Sequence, residues 1–195
     1  MNILRKKFKE EIAGVLMKEL ERTNVLAVPR MEKIVINIGL KDALRDSKLA
    51  DDAAALVARI SGQRPVVTRA KRAIAGFKLR QGDPIGVMVT LRGDRMYDFF
   101  ERLIRMVLPR VRDFHGVSTA AFDGRGNYSL GFPEITVFPE IETSEVKIQP
   151  GLQMTFVTTG QTKDQTKRLL ELLGMPFKKV RSEPSKASLA DGAGS

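Results

Sequence analysis

The chain has 195 residues, 43% of them hydrophobic, which fits one folded domain with its own core and excludes a disordered polymer. It carries 33 Lys and Arg against 23 Asp and Glu, a net charge of +10, with no Cys and one His. That composition excludes a disulfide framework and thiolate chemistry, and it points to polyanionic partners. No apolar run approaches the about 18 residues of a membrane span, and the opening MNILRKKFKEEIAGVL has no signal-peptide apolar stretch, so no membrane partner is expected.

Along the chain, Ile3, Leu4, Phe8, Ile12, Val15, Leu16 and Leu20 recur at helical spacing and predict an amphipathic helix over 2–20, ended by Thr23-Asn24. MEKIVINIGL reads as a strand, with Ile34, Ile36 and Ile38 on one face and Val35 and Asn37 on the other. DSKLADDAAALVARISG reads as a helix with Asp46 or Ser47 as N-cap and Gly62 just past its end. A short strand VVTRA and a basic loop to Gly82 follow. DPIGVMVTLRGD is the clearest strand: Ile85, Val87, Val89 and Leu91 on one face, Gly86, Met88, Thr90 and Arg92 on the other. Asp94 is positioned to cap a helix that runs to about Leu108, where Pro109 disrupts it. A Gly- and Pro-rich stretch then carries β-like pieces at Tyr128–Leu130 and Ile135–Phe138, and GLQMTFVTT is a strand. Thr162 and Gln165 form a capping box for the last helix, stopped by Gly174 and Pro176. Residues 1–182 read as a single domain and 183–195 as a disordered tail. Helices and strands mix without strict alternation, so the expected class is α+β: an antiparallel or mixed sheet with helices on one face and the opposite face open.

Catalytic constellations are missing. The lone His115 in RDFHGVS has no nucleophile partner and reads as a surface residue. One His without Cys cannot make a zinc site, no P-loop occurs, and DGRGNYSLG is a turn and not a dinucleotide fingerprint. The chain is not expected to be an enzyme, and no metal or cofactor is expected.

The charge is instead concentrated. RISGQRPVVTRAKRAIAGFKLRQG, residues 59–82, holds Arg59, Arg64, Arg69, Lys71, Arg72, Lys78 and Arg80 and no acid. A uniform sign repels itself unless a polyanion neutralises it, and glycine among cations lets backbone approach phosphate closely. Phe77 stands in the same loop. Asn37, Thr90 and Arg92 on the polar sheet face suit RNA, whose 2′-hydroxyls and splayed bases need donors and acceptors. The face lacks the paired aromatics of a base-stacking platform, and no helix carries a clean basic face for a DNA groove.

The segments VPRMEKIVINIGL, ISGQRPVVTRAKRAIAGFKLRQGDPIGVMVTLRGDRMYDFFERLI, LPRVRDF, FDGRGNYSLG and FPEI occur together and in this order. Over roughly residues 1–180 the chain closely resembles bacterial large-subunit ribosomal protein five, the 5S-rRNA-binding ribosomal protein family. The resemblance implies a cytoplasmic structural constituent of the 50S central protuberance, bound to 5S rRNA and 23S rRNA. It also implies contacts with P-site tRNA, with neighbouring large-subunit proteins, and with a small-subunit head protein across an intersubunit bridge. Carried over by residue, the 5S surface comprises Asn37, Gly39, Ser61, Gln63, Arg64, Thr90 and Arg92. The loop facing tRNA and 23S rRNA comprises Arg69, Lys71, Arg72, Phe77, Lys78 and Arg80.

Three departures stand out. His115 replaces the usual Arg after RDF, EITVFPEIETSEV at 134–146 departs from the usual pattern where the bridge contacts fall, and the tail after Glu183 runs past the usual end. A free RNA-binding regulator or chaperone on the same fold is the alternative to a ribosomal constituent, and co-sedimentation with 50S subunits separates the two.

Overall fold

Ile34, Ile36 and Ile38 are completely buried, while Val35 between them is half-buried and Asn37 exposed. This alternation belongs to β1, Met31–Gly39, the middle strand of the structure, a computed structural model that describes residues 2–40, 48–142 and 150–178. β1 pairs antiparallel on one side with β3 (Pro84–Leu91) and on the other with β5 (Leu152–Thr158). β2 (Val66–Arg69) adds to β3 and β4 (Tyr128–Phe132) adds to β5, giving the order β2-β3-β1-β5-β4, antiparallel throughout. The α+β expectation is met, and the sheet is antiparallel, not mixed.

The registers Ile34↔Leu91 and Ile34↔Phe156, Ile36↔Val89 and Ile36↔Met154, and Ile38↔Val87 and Ile38↔Leu152 align every core side chain on one face. Helices cover that face. α1 consists of Ile3–Lys7, a π turn Phe8–Ile12 and Ala13–Glu19. The Asn2 side chain caps it, accepting from the Leu4 and Arg5 amides at 2.6 and 3.2 Å. α2 (Lys48–Ser61) buries Ala53, Val57 and Ile60. α3 is Gly93–Arg102 followed by a second π turn, Leu103–Val107. Its Phe100 meets Phe156 of β5 edge to face at 5.6 Å, and Phe99 stacks near Phe138 at 6.3 Å. α4 (Lys163–Leu172) begins at Thr162, whose Oγ1 accepts from the Gln165 amide, and ends in a Schellman turn. There the Gly174 amide donates to Glu171 O and Met175 to Leu170 O, with Gly174 at φ +99°. Arg168 holds Glu19 through two hydrogen bonds of 2.8 and 2.6 Å and so ties α4 to α1.

Several local expectations change. α1 stops at Glu19, ahead of Thr23-Asn24, and Asn24 instead caps the short 3-10 turn Val25–Ala27. Asp94 does not cap α3: its carboxylate takes the Arg5 guanidinium at 2.7 Å, an interaction worth more to it than an amide on its own turn. Ile135–Phe138 is not a strand. Pro133 and Pro139 flank it, and Ile135–Val137 forms a 3-10 turn in which Ile135 and Phe138, three apart, both turn inward. Ile85 leaves its expected face and is 39% exposed. The β2–β3 register passes from Thr68↔Gly86 to Arg69↔Pro84, so Ile85 is the extra residue of a bulge. The N-cap candidates Asp46 and Ser47, residues 143–147 and the tail 183–195 lie outside the described residues.

Candidate nucleic-acid interface

The sheet face away from the helices follows from the register. One row across four strands reads Thr90, Val35, Thr155, Ser129; the next, across all five, reads Val66, Met88, Asn37, Gln153, Gly131. Asn37, Gln153 and Gly131 are exposed, and Thr90, Thr155 and Ser129 are partly so. Hydroxyls and carboxamides thus recur across the open face, with Val35 between Thr90 and Thr155. Ser129 Oγ and Thr155 Oγ1 are 3.2 Å apart, each partnered before any ligand arrives. Gln153, Thr155 and Ser129 were missed in the sequence reading, although the alternation of Gln153 and Thr155 against Leu152, Met154 and Phe156 carried the signal.

Of the seven residues assigned to this surface, Asn37 and Thr90 lie on it, and Gly39 extends it at the strand end. Gln63 lies at its margin, where its Nε2 donates to Thr90 O at 3.3 Å, on the side of β3 that β2 has not yet reached. Arg64 is exposed and, among the described residues, has no ion-pair partner. Arg92 is exposed beside Glu32, at 3.3 Å, a surface pair weak enough for a phosphate to displace. Ser61 differs from the rest: it is buried, 2.7 Å from Val57 O and 3.0 Å from Gln63 O, and it accepts from the Gln63 amide. Its hydroxyl shapes the turn that presents Gln63 and Arg64.

The basic segment proves to be a structured hairpin continuing β2 and β3. The Ala70 amide donates to Asp83 O and the Gly82 amide to Ala70 O, at 2.8 and 2.9 Å. Farther out, Ile74 and Leu79 exchange amide hydrogen bonds of 2.9 and 3.1 Å around a 3-10 turn at Ala75–Phe77. Lys78 closes that turn in the left-handed region at φ +52°. Arg69, Lys71, Arg72, Lys78 and Arg80 are all exposed, and Phe77 is 73% exposed at the tip. Arg69 Nη1 donates to Gly82 O at 3.0 Å, so that guanidinium also braces the hairpin root. None of the five forms a salt bridge among the described residues, and five cations therefore share one projection. The nearest acid in sequence, Asp83, spends Oδ2 on the Arg80 amide at 2.7 Å.

FDGRGNYSLG is a self-tied turn beside β4. Asp123 accepts from the Arg125 and Asn127 amides and from Asn127 Nδ2, at 2.9, 2.7 and 2.7 Å. The Asn127 bond, the largest contribution, holds its carboxyl below the usual aspartate range. Burial pushes the Tyr128 phenol up to about 12, and its hydroxyl donates to Ser118 O at 2.8 Å. His115 is exposed. Among the described residues no group of acidic or imidazole side chains is arranged to hold a metal.

The family described as ribosomal protein L5 matches residues 24–80, and the C-terminal part of the same ribosomal family matches residues 84–177. The chain belongs to the ribosomal protein L5 family. Relatives agree over almost the whole length. A protein of Acidobacterium capsulatum named large ribosomal subunit protein uL5 is 54% identical over 177 residues, covering 91% of this chain and 97% of the relative. One of Roseiflexus castenholzii with the same name is 54% identical over 175 residues, covering 90% and 97%. Membership in the L5 family makes the chain a structural, rRNA-binding ribosomal protein and not an enzyme.

Proposed function

We propose that this chain, a structural constituent of the large ribosomal subunit and hence a cytoplasmic protein of translation, binds 5S rRNA through the open sheet face. In the same reading the basic hairpin reaches 23S rRNA and P-site tRNA. The single observation that carries the proposal is the presence of two exposed surfaces of different chemistry. An open polar face holds Asn37 and Thr90, with Gln63, Arg64 and Arg92 at its margin, and a pre-formed projection holds Arg69, Lys71, Arg72, Lys78 and Arg80. The first suits hydrogen bonding to ribose and base edges, and the second suits phosphate neutralisation. Neighbouring large-subunit proteins and a small-subunit head protein complete the set of partners; the exposed acidic residues Glu134 and Glu142 supply charge for the latter, while Glu140 is taken by Arg102.

Two titrations test the division. Asn37→Ala and Thr90→Ala should each weaken binding to free 5S rRNA about fivefold, the equivalent of about 1 kcal/mol per hydrogen bond, without lowering the melting temperature. Replacing the five hairpin cations by Gln should leave 5S binding within a modest factor. It should sharply reduce P-site tRNA retention on 70S particles built with the variant. If the hairpin variant abolishes 5S binding and leaves tRNA retention unchanged, the roles are reversed.

A further inference from the structure

Two of the sheet's outward residues do not fit a surface made only for hydrogen bonding. Val66 is 64% exposed and Met88 37% exposed, and they are register partners on β2 and β3, so their side chains lie together on the open face. Asn37 is the partner of Met88 on the other side. The three form a straight line of about 10 Å, two strand spacings, that runs from apolar to carboxamide. Phosphates and 2′-hydroxyls of an A-form helix offer nothing to an apolar pair. In duplex RNA the flat apolar faces of the bases are hidden in the stack and become available only where a base is unpaired and splayed out.

We propose that Val66 and Met88 form the floor of a nucleobase subsite, and that Asn37 reads the edge of the base lying on it. The subsite rests on the rRNA reading above and gives that face a sequence-sensing element in addition to its polar contacts. The Met88 thioether is a polarisable surface suited to an aromatic ring. A carboxamide presents one donor and one acceptor side by side, the complement of adenine N6 and N7, so the occupant is an unpaired adenine. Continuity with the polar rows carries the choice of RNA over protein: Thr90 and Thr155 lie in the adjacent row, Gln153 continues the same row beyond Asn37, and the cationic Arg64 stands two residues before Val66.

The test uses the full chain and transcribed 5S rRNA, read by titration across a range of salt and by diethyl pyrocarbonate modification of adenine N7. The wild-type chain should protect an unpaired adenine. Met88→Gln keeps the length of the side chain but not its apolarity; it should bind about five- to tenfold more weakly, as expected for one or two methylene-sized groups left wet. It should also lose that protection with an unchanged salt slope. Val66→Thr should act in the same direction, and Met88→Leu should stay within about twofold of wild type because it keeps an apolar floor. Arg64→Gln should show the opposite pattern, retaining protection while the log–log salt slope falls by about 0.7–0.9. Circular dichroism verifies that each variant is folded. If Met88→Gln and Val66→Thr bind and protect like wild type, or Met88→Leu is as weak as Met88→Gln, the nucleobase floor is refuted and the polar face stands. If the polar variants bind RNA normally but are lost from large subunits, the apolar pair belongs to a protein contact. If the wild-type chain does not bind 5S rRNA, the parent reading fails and the subsite with it.

Discussion

Replacing Gly86 by alanine should damage the sheet at the root of the basic hairpin, while the same replacement at its register partner Gly39 should not. A Cβ on Gly86 would stand 2.6 Å from the Ile38 carbonyl oxygen and 3.1 Å from Thr68 Oγ1. Ordinary contact begins at 3.4 Å, so about 0.8 Å must be recovered against a backbone atom of the central strand. Strand backbone does not yield as a side-chain end would, and β1 is fixed on its other side by β5. The upper part of the overpacking range applies, about 2–3 kcal/mol, which for a chain of this size lowers the melting temperature by about 4–12 °C. At Gly39 a Cβ meets nothing within 4 Å, and the change should stay within about 0.5 kcal/mol. Urea unfolding followed by far-ultraviolet circular dichroism measures both. Equal destabilisation by the two variants, or none by Gly86→Ala, would refute the close-approach argument. Gly39→Ala, folded but carrying a methyl group at the end of the open face, then reports on RNA contact alone.

The chain's two tyrosines, Tyr97 and Tyr128, both have phenols raised by burial, Tyr128 to about 12. Raised folded-state values mean that their stabilising contribution is complete below pH 10 and is lost as pH climbs through the folded values. Phenolate absorbance at pH 10, where a free tyrosine is half ionised, should therefore stay below half of its maximum and rise above that pH; half-maximal absorbance at pH 10 would contradict the burial of both rings. In the buried hydroxyl cluster, Thr158 Oγ1 lies 2.9 Å from Thr166 Oγ1 and 3.0 Å from Gly126 O, and it accepts from the Gly160 amide at 3.2 Å. Thr158→Val strands three groups and should cost about 2–3 kcal/mol in denaturant melts, against about 1 for Thr166→Val; the reverse ranking would show that Thr158 is not the hub.

What could be read from the residues was whatever leaves a period in the side chains. Ile34, Ile36 and Ile38 alternate with Lys33, Val35 and Asn37 because one sheet face is open, and Thr162 with Gln165 marks a helix start by its own chemistry. The π turns in α1 and α3 were not legible, because one extra backbone residue per turn leaves the apolar spacing nearly intact. Ile135–Phe138 misled because β-branched residues favour strands, whereas the flanking prolines remove the amides a ladder would need. The bulge at Ile85 depends on pairing with a strand sixteen or more residues away and leaves no local mark. The same holds for the hairpin: its cations and glycines were plain, but the Ala70, Ile74, Leu79 and Gly82 backbone bonds that order it have no residue code. At the interface, Asn37 and Thr90 were legible by alternation, Arg64 by charge. Ser61 could not be recognised as buried, since only the Val57 and Gln63 carbonyls around it decide what its hydroxyl does.

The strand order also sets a timetable for synthesis. β1 emerges early, yet one of its two neighbours, β5, begins only at Leu152. At ordinary elongation rates the wait is on the order of ten seconds. Throughout that time the edge of an isoleucine-rich strand has unpaired amides and carbonyls, an invitation to pair with another nascent chain. The open face is also incomplete in that interval, since Gln153 and Thr155 have yet to be translated. A truncated chain ending before Leu152 therefore cannot present the full five-strand row, although every residue proposed to contact RNA, from Asn37 to Arg92, has by then been made.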